Sequence, residues 1–363
     1  MTVLASGSRG NCTVITGGRT SVLVDAGVSC REIVKRMLQA GEDPGKLDAI
    51  LITHEHQDHV QGLSVLARKM GIPVYFTEAT HRAWMRWMVP QRRMTYADWL
   101  TGRKAEAAQK ADEAAKAGAA VEPDAANPFY REAVLAECAE EAEAFAREVT
   151  AHQPENSIPT NGRATTAITA TPNTPATKWP PAAQAVSASL SEADPCALPG
   201  VEYFRAGKPF SIGDLQITAF TIPHDATDPV GFVLKGEGIR IGLATDLGYM
   251  PANVSEQLRR CDVVMLEANH DLDMLRDGPY PWSVKQRVLS RVGHLSNAAA
   301  AEFLEKGYDG QAAYVVLAHL SESNNMPELA RVAAEWALRD RMSLLANKLV
   351  VAGQHAPTES ICF

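Results

Sequence analysis

The sequence predicts an α/β (α+β) fold in which short buried strands alternate with amphipathic helices. Apolar runs at residues 49–52 and 313–318 have the length of strands and are rich in Ile, Leu and Val. Between such runs, apolar residues recur with helical spacing, as they do over residues 60–70 and 327–338. The chain has 363 residues, 46% of them hydrophobic, which is enough to bury a large core.

The alternation runs through residues 1–100 and 200–363, which together predict one catalytic domain. In the first part we expect strands at 2–5, 12–16, 21–25, 49–52 and 73–77, with helices near 33–38 and 60–70. In the second part we expect strands at 216–222, 230–235, 239–244, 262–267, 313–318 and 348–351, and helices at 252–260, 296–305 and 327–338. Gly236-Glu237-Gly238 lies between two of these strands and predicts a hairpin.

Residues 101–199 differ in composition and predict an insertion into that domain. The stretch 101–150 holds 17 Ala among Glu and Lys, a composition that favours helix but supplies little core. The stretch 151–199 is rich in Pro, Thr and Ala and has few large apolar residues, as disordered linkers do. We expect an insertion that is partly helical or disordered, carries no catalytic groups and is able to dock a protein partner.

Charge and cysteine usage limit the classes of function. The formal net charge is −8, but residues 101–200 hold 8 Lys or Arg and 14 Asp or Glu, so the rest of the chain is nearly neutral and a nucleic-acid substrate is not excluded. The six cysteines are scattered without a CxxC pair, which fits neither a disulfide framework nor a thiolate zinc site. With no visible secretory leader and no apolar run of ~18 residues, we expect a cytoplasmic protein that does not span a membrane.

The motif HEHQDH at residues 54–59 is the strongest functional signal in the sequence. It places four potential metal ligands directly after the predicted strand at 49–52. Because alternate residues of an extended segment face the same way, His54 and His56 can grip one metal ion. After a turn of the chain, Asp58 and His59 can face a second ion. Imidazole and carboxylate ligands suit zinc, manganese or iron.

Three further candidate ligands, His224, Asp246 and His319, each lie at the end of a predicted strand. Residues in such loops converge on one rim of a sheet. Taken singly, each residue is equally consistent with the cap of a turn. Four ligands are too few for two metals, so further ligands are needed. The order of these three residues after the HEHQDH motif favours a site that they share with it.

This order of residues, HxHxDH followed by His, Asp and His, resembles the metallo-β-lactamase superfamily. More closely, the chain resembles its YycJ/WalJ-type subfamily, which is related to ribonuclease Z, over segments 6–11, 53–62, 223–226, 245–249, 267–271, 293–297 and 318–321. The resemblance implies a four-layer αββα sandwich of two mixed sheets with the metals at one edge. Residues 101–199 depart from it, because the subfamily usually has a short connection there.

The resemblance also implies a role for each ligand. His54, His56 and His224 would hold the first of two divalent metal ions, zinc or manganese. Asp58, His59 and His319 would hold the second ion. Asp246 would bridge the two.

His294 and Asp58 are the candidate catalytic residues. His294 precedes a predicted helix start at Ser296 or Asn297. In ribonuclease Z-like relatives, a histidine in that position is a catalytic acid beside the metals. Weaker candidates for contact with the substrate are Asn11, His270, Lys285 and Arg287, of which the two cations could meet phosphates.

The function predicted is that of a dinuclear metal-dependent hydrolase. The subfamily is described as phosphodiesterases with 5′-to-3′ DNA exonuclease activity, which implies single-stranded DNA or DNA ends as substrate and a metal-bridging hydroxide as nucleophile. The short span between Asp246 and His319 leaves little room for a clamp domain, which also favours single strands or chain ends. One alternative is a thioester or lactone hydrolase of the glyoxalase II type. The other is a non-catalytic, metal-bound regulatory protein.

Overall fold

A computed structural model describes residues 1–88, 196–339 and 348–363 of the chain, and these residues build two mixed β-sheets. The first sheet has six strands in sequence order, namely β1 Thr2–Ala5, β2 Cys12–Gly17, β3 Thr20–Val24, β4 Leu47–Leu51, β5 Val74–Phe76 and β6 Val201–Tyr203. Strands β1 to β3 pair antiparallel, and β3 to β6 pair parallel. Parallel neighbours end at the same edge of the sheet, which is where loop residues can meet.

The second sheet repeats this arrangement with seven strands. They are β7 Pro209–Ile212, β8 Leu215–Thr221, β9 Val230–Gly236, β10 Ile239–Ala244, β11 Val263–Glu267, β12 Tyr314–Ala318 and β13 Lys348–Val351. Pairing is antiparallel from β7 to β10 and parallel from β10 to β13. The predicted hairpin is confirmed between β9 and β10, where Glu237 and Gly238 have φ values of 49° and 85°.

Nine α-helices are described, and most pack on the sheets. They are α1 Cys30–Gln39, α2 Gln57–Val60, α3 Leu63–Met70, α4 Glu78–Met88, α5 Ala252–Leu258, α6 Leu272–Asp277, α7 Trp282–Val288, α8 Asn297–Glu302 and α9 Pro327–Leu338. The Ser296 side chain caps α8 by accepting a hydrogen bond from Ala299 N, as the sequence predicts. The single helix predicted over 60–70 is divided at Gly62, whose N–H donates to Ala26 O.

Apolar side chains fill three layers, which gives the predicted αββα sandwich. Between the sheets, residues of the first sheet meet those of the second, among them Ile15, Leu51, Phe232 and Met265. The outer face of the first sheet packs on α1, α3 and α4 through Leu23, Ile33, Leu66 and Trp84. The outer face of the second sheet packs on α5, α8 and α9 through Leu258, Leu266, Ala300 and Ala334.

The pattern of the sequence missed β6, β7, α4, α6 and α7. Strands β6 and β7 lie at sheet edges and are largely exposed, so they lack the apolar signal of a buried strand. The predicted insertion at 101–199 lies outside the described residues except for 196–199, where Cys196 and Leu198 pack on the outer core of the first sheet. Within the described ranges, no helix is both long and apolar enough to cross a membrane.

Candidate metal centre

All seven predicted ligands come together at one edge of the sandwich, in the segments that follow strands β4, β8, β10 and β12. Three residues at this edge, Asp25, Asp246 and His319, have left-handed backbones with φ values of 61°, 62° and 55°. Such a conformation costs a non-glycine residue on the order of 1–3 kcal/mol and persists only where the surrounding structure imposes it. The sheets therefore hold these side chains in a strained arrangement that serves the site.

The first triad consists of His54, His56 and His224, whose potential metal-ligand nitrogens lie within 4.8 Å of one another. His224 Nδ1 donates to Gly293 O over 3.1 Å, which leaves Nε2 to face His56 Nδ1 at 3.3 Å. The His54 ring is fully buried among the other two, with ring centroids 4.6 Å from His56 and 5.1 Å from His224. Three nitrogens thus converge on one point.

Asp58, His59 and His319 form the second triad, again with donor atoms within 4.8 Å. Asp58 Oδ2 lies 3.4 Å from both His59 Nε2 and His319 Nε2. Asp246 lies between the triads, because its Oδ2 is 3.5 Å from His59 Nε2 and its Oδ1 is 3.8 Å from His224 Nε2. Two further groups, one of Asp246, Glu267, His294 and His319 and one of His54, His59 and Asp246, are equally compact. The assignment of each ligand to one of two ions, which the resemblance implies, therefore stays a prediction.

Two buried carboxylates behind the triads, Asp25 and Glu267, were not predicted as site residues. Asp25 Oδ2 accepts from His59 Nδ1 over 2.8 Å, and its other oxygen accepts from Thr53 N. Glu267 Oε1 accepts from Nδ1 of both His319 and His294. These bonds fix the ring orientations, so that His59 and His319 present Nε2 to the site.

The turn that carries Asp58 is held by close backbone packing around Gly27. A Cβ atom at Gly27 would overlap the carbonyl of Asp58. Asn11 N donates to Asp58 O over 2.7 Å, and Gly27 N donates to Asn11 O over 2.9 Å. Only glycine allows the loop after β3 to approach the HEHQDH turn so closely.

The residues present fit divalent metal ions. His54 Nε2 and Asp246 Oδ2 are buried and have no hydrogen-bond partner among the described residues. Burial and the neighbouring His59 lower the pKa of His54 well below its ordinary value, which leaves a free lone pair. Burial opposes the ionisation of Asp58, but the imidazoles of His59 and His319 hold its pKa below the usual range. Neutral His54 and ionised Asp58 are in the forms that bind metal. The neighbouring carboxylates raise the pKa of His59 and His319 well above the ordinary value, so these two rings would release a proton when a metal ion binds.

His294 stands at the rim of this cluster. Its side chain is 22% exposed, and its Nδ1 donates to Glu267 Oε1 over 2.8 Å. Its ring centroid lies 5.1 Å from that of His224 and 5.2 Å from that of His319. His294 is therefore close to both triads and open to a bound molecule.

The four weaker candidates occupy different surroundings. Asn11 is buried, and its Nδ2 donates to Asp58 Oδ2 over 3.2 Å, so it supports a ligand. Arg287 pairs with Asp225 beside His224, and Lys285 donates to Arg276 O over 2.7 Å. His270 is 1% exposed and borders a cavity that His294 also lines. Their contact with a substrate stays a prediction.

Comparisons with known proteins agree with this architecture. The family model described as "Metallo-beta-lactamase superfamily" matches residues 5–127. The model described as "Beta-lactamase superfamily domain" matches residues 135–320, more than half of the chain. The solved "metallo-beta-lactamase fold protein YhfI" from Bacillus subtilis has a TM-score of 0.52, is 12% identical, and the match covers 99% of each chain. The predicted fold is confirmed.

Two curated relatives extend the comparison over nearly the whole chain. "Exodeoxyribonuclease YycJ" of Bacillus anthracis is 27% identical over 339 residues, which cover 93% of this chain and 89% of that protein. "Exodeoxyribonuclease WalJ" of Streptococcus pneumoniae serotype 2 is 28% identical over 330 residues, which cover 91% of this chain and 84% of that protein. The resemblance to the YycJ/WalJ type is thereby confirmed.

Proposed function

We propose that this chain, which belongs to the metallo-beta-lactamase superfamily and is a metal-dependent hydrolase, cleaves phosphodiester bonds of DNA. One observation supports the proposal: two groups of candidate metal ligands lie around Asp246, and Glu267 holds His294 beside them. Hydrolysis of a phosphodiester requires stabilisation of the negative charge that develops around phosphorus and a proton for the leaving oxygen. The site offers residues for both tasks.

Two divalent ions, zinc or manganese, would be held by the two triads. His54, His56 and His224 would ligate one ion, and Asp58, His59 and His319 would ligate the other. Asp246 is within reach of both sets through its two oxygens. When bound, such ions lower the pKa of water and polarise a phosphoryl oxygen.

His294 is proposed as the general acid. Its Nδ1 is bonded to Glu267, so Nε2 is the nitrogen that exchanges a proton with the substrate. Asp58 is the other proposed catalytic residue. Its side chain is 23% exposed, against 2% for Asp246, so its ionised carboxylate could accept a hydrogen bond from the attacking water and orient it.

DNA is proposed as the substrate because both curated relatives are named as exodeoxyribonucleases. The chain also carries cations beside the site. Arg287 pairs with Asp225, the neighbour of ligand His224, and Arg291 stacks on Tyr249 at 4.3 Å from the ring centroid. Guanidinium groups at the mouth of the site would bind phosphates. The proposed substrate is single-stranded DNA or a DNA end, and the proposed direction of degradation is from the 5′ end to the 3′ end.

The test is cleavage of 5′-labelled single-stranded DNA by purified protein loaded with manganese or zinc. A 5′-to-3′ exonuclease releases labelled mononucleotide at once, whereas the opposite polarity gives a ladder of shortening products. Circular single strands should resist. We expect Asp58→Ala and His294→Ala to abolish most turnover, and His294→Ala to keep its metal. The matched control is His355→Ala, which removes an exposed histidine outside the triads.

The thioester and lactone alternative is tested on the same preparation. Wild-type protein with confirmed metal content could leave DNA intact and hydrolyse a thioester or a lactone. That result would replace the nuclease proposal with a glyoxalase II-type activity. Full turnover of DNA by metal-loaded His294→Ala would instead remove only the assignment of the acid.

A protein partner for residues 101–199 and a cytoplasmic location stay predictions. Deletion of 101–199 tests the first. If catalysis survives while a co-purifying partner is lost, the insertion is an interaction arm. Loss of catalysis in a folded deletion variant would contradict this.

A further inference from the structure

A cavity of about 690 Å³ adjoins the metal-ligand cluster and shares His294 with it. Its volume lies within the ordinary range of small-molecule sites. His294 lines the cavity and also lies near both triads. Whatever occupies the cavity therefore lies next to the proposed proton donor.

The walls of this cavity are suited to a flat, uncharged group. Tyr249 and Leu272, which are 37% and 48% exposed, supply aromatic and aliphatic surface. The two charged residues of the lining, Glu302 and Lys306, form an ion pair at 3.0 Å and offset each other. The guanidinium of Arg291 stacks on Tyr249 beside this lining, but the lining itself adds no surplus positive charge for a second phosphate and offers a nucleobase apolar side chains to pack on.

His270 adds an unsatisfied polar group to the same cavity. The residue is 1% exposed, yet neither ring nitrogen has a hydrogen-bond partner among the described residues. Its backbone is fixed, because His270 O accepts from Asn297 N over 2.8 Å. Burial lowers the pKa of His270 to about 4, so the ring is neutral at neutral pH and offers one donor and one acceptor. A ligand with complementary groups would satisfy it.

Resting on the proposed phosphodiesterase activity, we propose that this cavity binds the nucleoside that carries the leaving oxygen, with His270 contacting its base. In hydrolysis, the oxygen of water bonds to phosphorus while the bond from phosphorus to the sugar oxygen breaks. That sugar oxygen takes a proton from His294, and the proton lost by water passes to solvent. The products are a phosphate monoester and an alcohol. Because His294 lines the cavity, the departing nucleoside lies inside it.

The test fills the cavity without changing the metal centre. Ala299 lines the cavity on α8, whereas its neighbour Ala298 is exposed and does not. We compare Ala299→Phe with Ala298→Phe on single-stranded DNA and on the same strand with an abasic 5′-terminal residue, which keeps the scissile diester and lacks the base. The ratio of kcat/KM for the intact strand to that for the abasic strand should fall at least tenfold in Ala299→Phe and stay unchanged in Ala298→Phe. His270→Asn should lower the same ratio.

Binding gives a second readout that does not depend on turnover. Saturation-transfer NMR with 2′-deoxyadenosine should detect binding to the metal-loaded wild type and to Ala298→Phe, and no binding to Ala299→Phe. Equal ratios and equal nucleoside binding in Ala299→Phe would overturn the role of the cavity while leaving the nuclease proposal intact. A wild-type protein that does not cleave DNA would overturn the proposed function, and this inference with it.

Discussion

Glu267 Oε1 accepts a hydrogen bond from His294 Nδ1 over 2.8 Å, and the same oxygen accepts one from His319 Nδ1 over 2.9 Å. Oε2 of Glu267 accepts from Leu247 N and Leu295 N, so the carboxylate cannot rotate. Burial opposes its ionisation, but the imidazoles of His294 and His319 hold the pKa of Glu267 below its usual range. One buried side chain therefore orients both the proposed acid and a proposed ligand.

Glu267→Gln should lower kcat about 10–100-fold, the usual cost of removing a group that orients a ligand or an acid. The glutamine amide has only one oxygen, so its NH₂ must face either backbone N–H donors or the imidazoles. We would measure kcat against pH together with metal content. The exposed Glu256→Gln makes the same change of charge and serves as control. An unaltered pH profile in Glu267→Gln would contradict the role in orientation.

Asp25→Asn should weaken binding of the ion at the second triad about 10–100-fold. Asp25 Oδ2 accepts from His59 Nδ1 over 2.8 Å, and the variant loses the charge that supports this ligand. Competition with a chromogenic chelator measures the affinity, and the first triad should keep its ion. Asp273→Asn, at an exposed side chain, is the control. If the ion at the second triad binds to Asp25→Asn as tightly as it binds to the wild type, Asp25 does not support this ligand.

The ligands could be predicted from the sequence because their signal is local. The HEHQDH motif holds four of them within six residues, and His224, Asp246 and His319 each follow a recognisable strand. Asp25 and Glu267 carry no such signal. Each is a single carboxylate at a strand end, and its partner lies 34 or 52 residues further along the chain.

What brings these distant partners together is strand order. Strand β3 lies beside β4, which places Asp25 next to the loop of His59. Strand β11 lies beside β12, which places Glu267 next to His319. A sequence pattern predicts that these strands exist, but their neighbours in the sheet follow only from the folded topology. The supporting roles of Asp25 and Glu267 therefore follow from the folded structure and not from the sequence pattern.

Thr227→Val should destabilise the fold by about 2 kcal/mol, since hydrogen bonds to charged groups contribute about 1.5–3 kcal/mol. Glu55 Oε1 accepts from both the N–H and the hydroxyl of Thr227, which ties the loop after His224 to the HEHQDH motif. Urea unfolding measures the loss. Thr16→Val removes a hydroxyl–hydroxyl bond to Ser21 at an exposed position and should cost less than about 1 kcal/mol. Equal losses in the two variants would show that Glu55 adds nothing specific.

His270 should make the stability of the fold depend on pH between about 4 and 6.5. Burial lowers its pKa from 6.5 to about 4, so in this window the unfolded chain binds a proton that the folded chain does not. Stability contributed by neutral His270 is therefore complete above pH 6.5 and is lost as pH falls, by up to about 3 kcal/mol. His270→Asn cannot titrate and should lack this component. We would measure the free energy of unfolding of both proteins in urea from pH 7.5 to 4.5. The values for the two proteins should converge as pH falls. A difference that stays constant with pH would mean that His270 is not held neutral by burial.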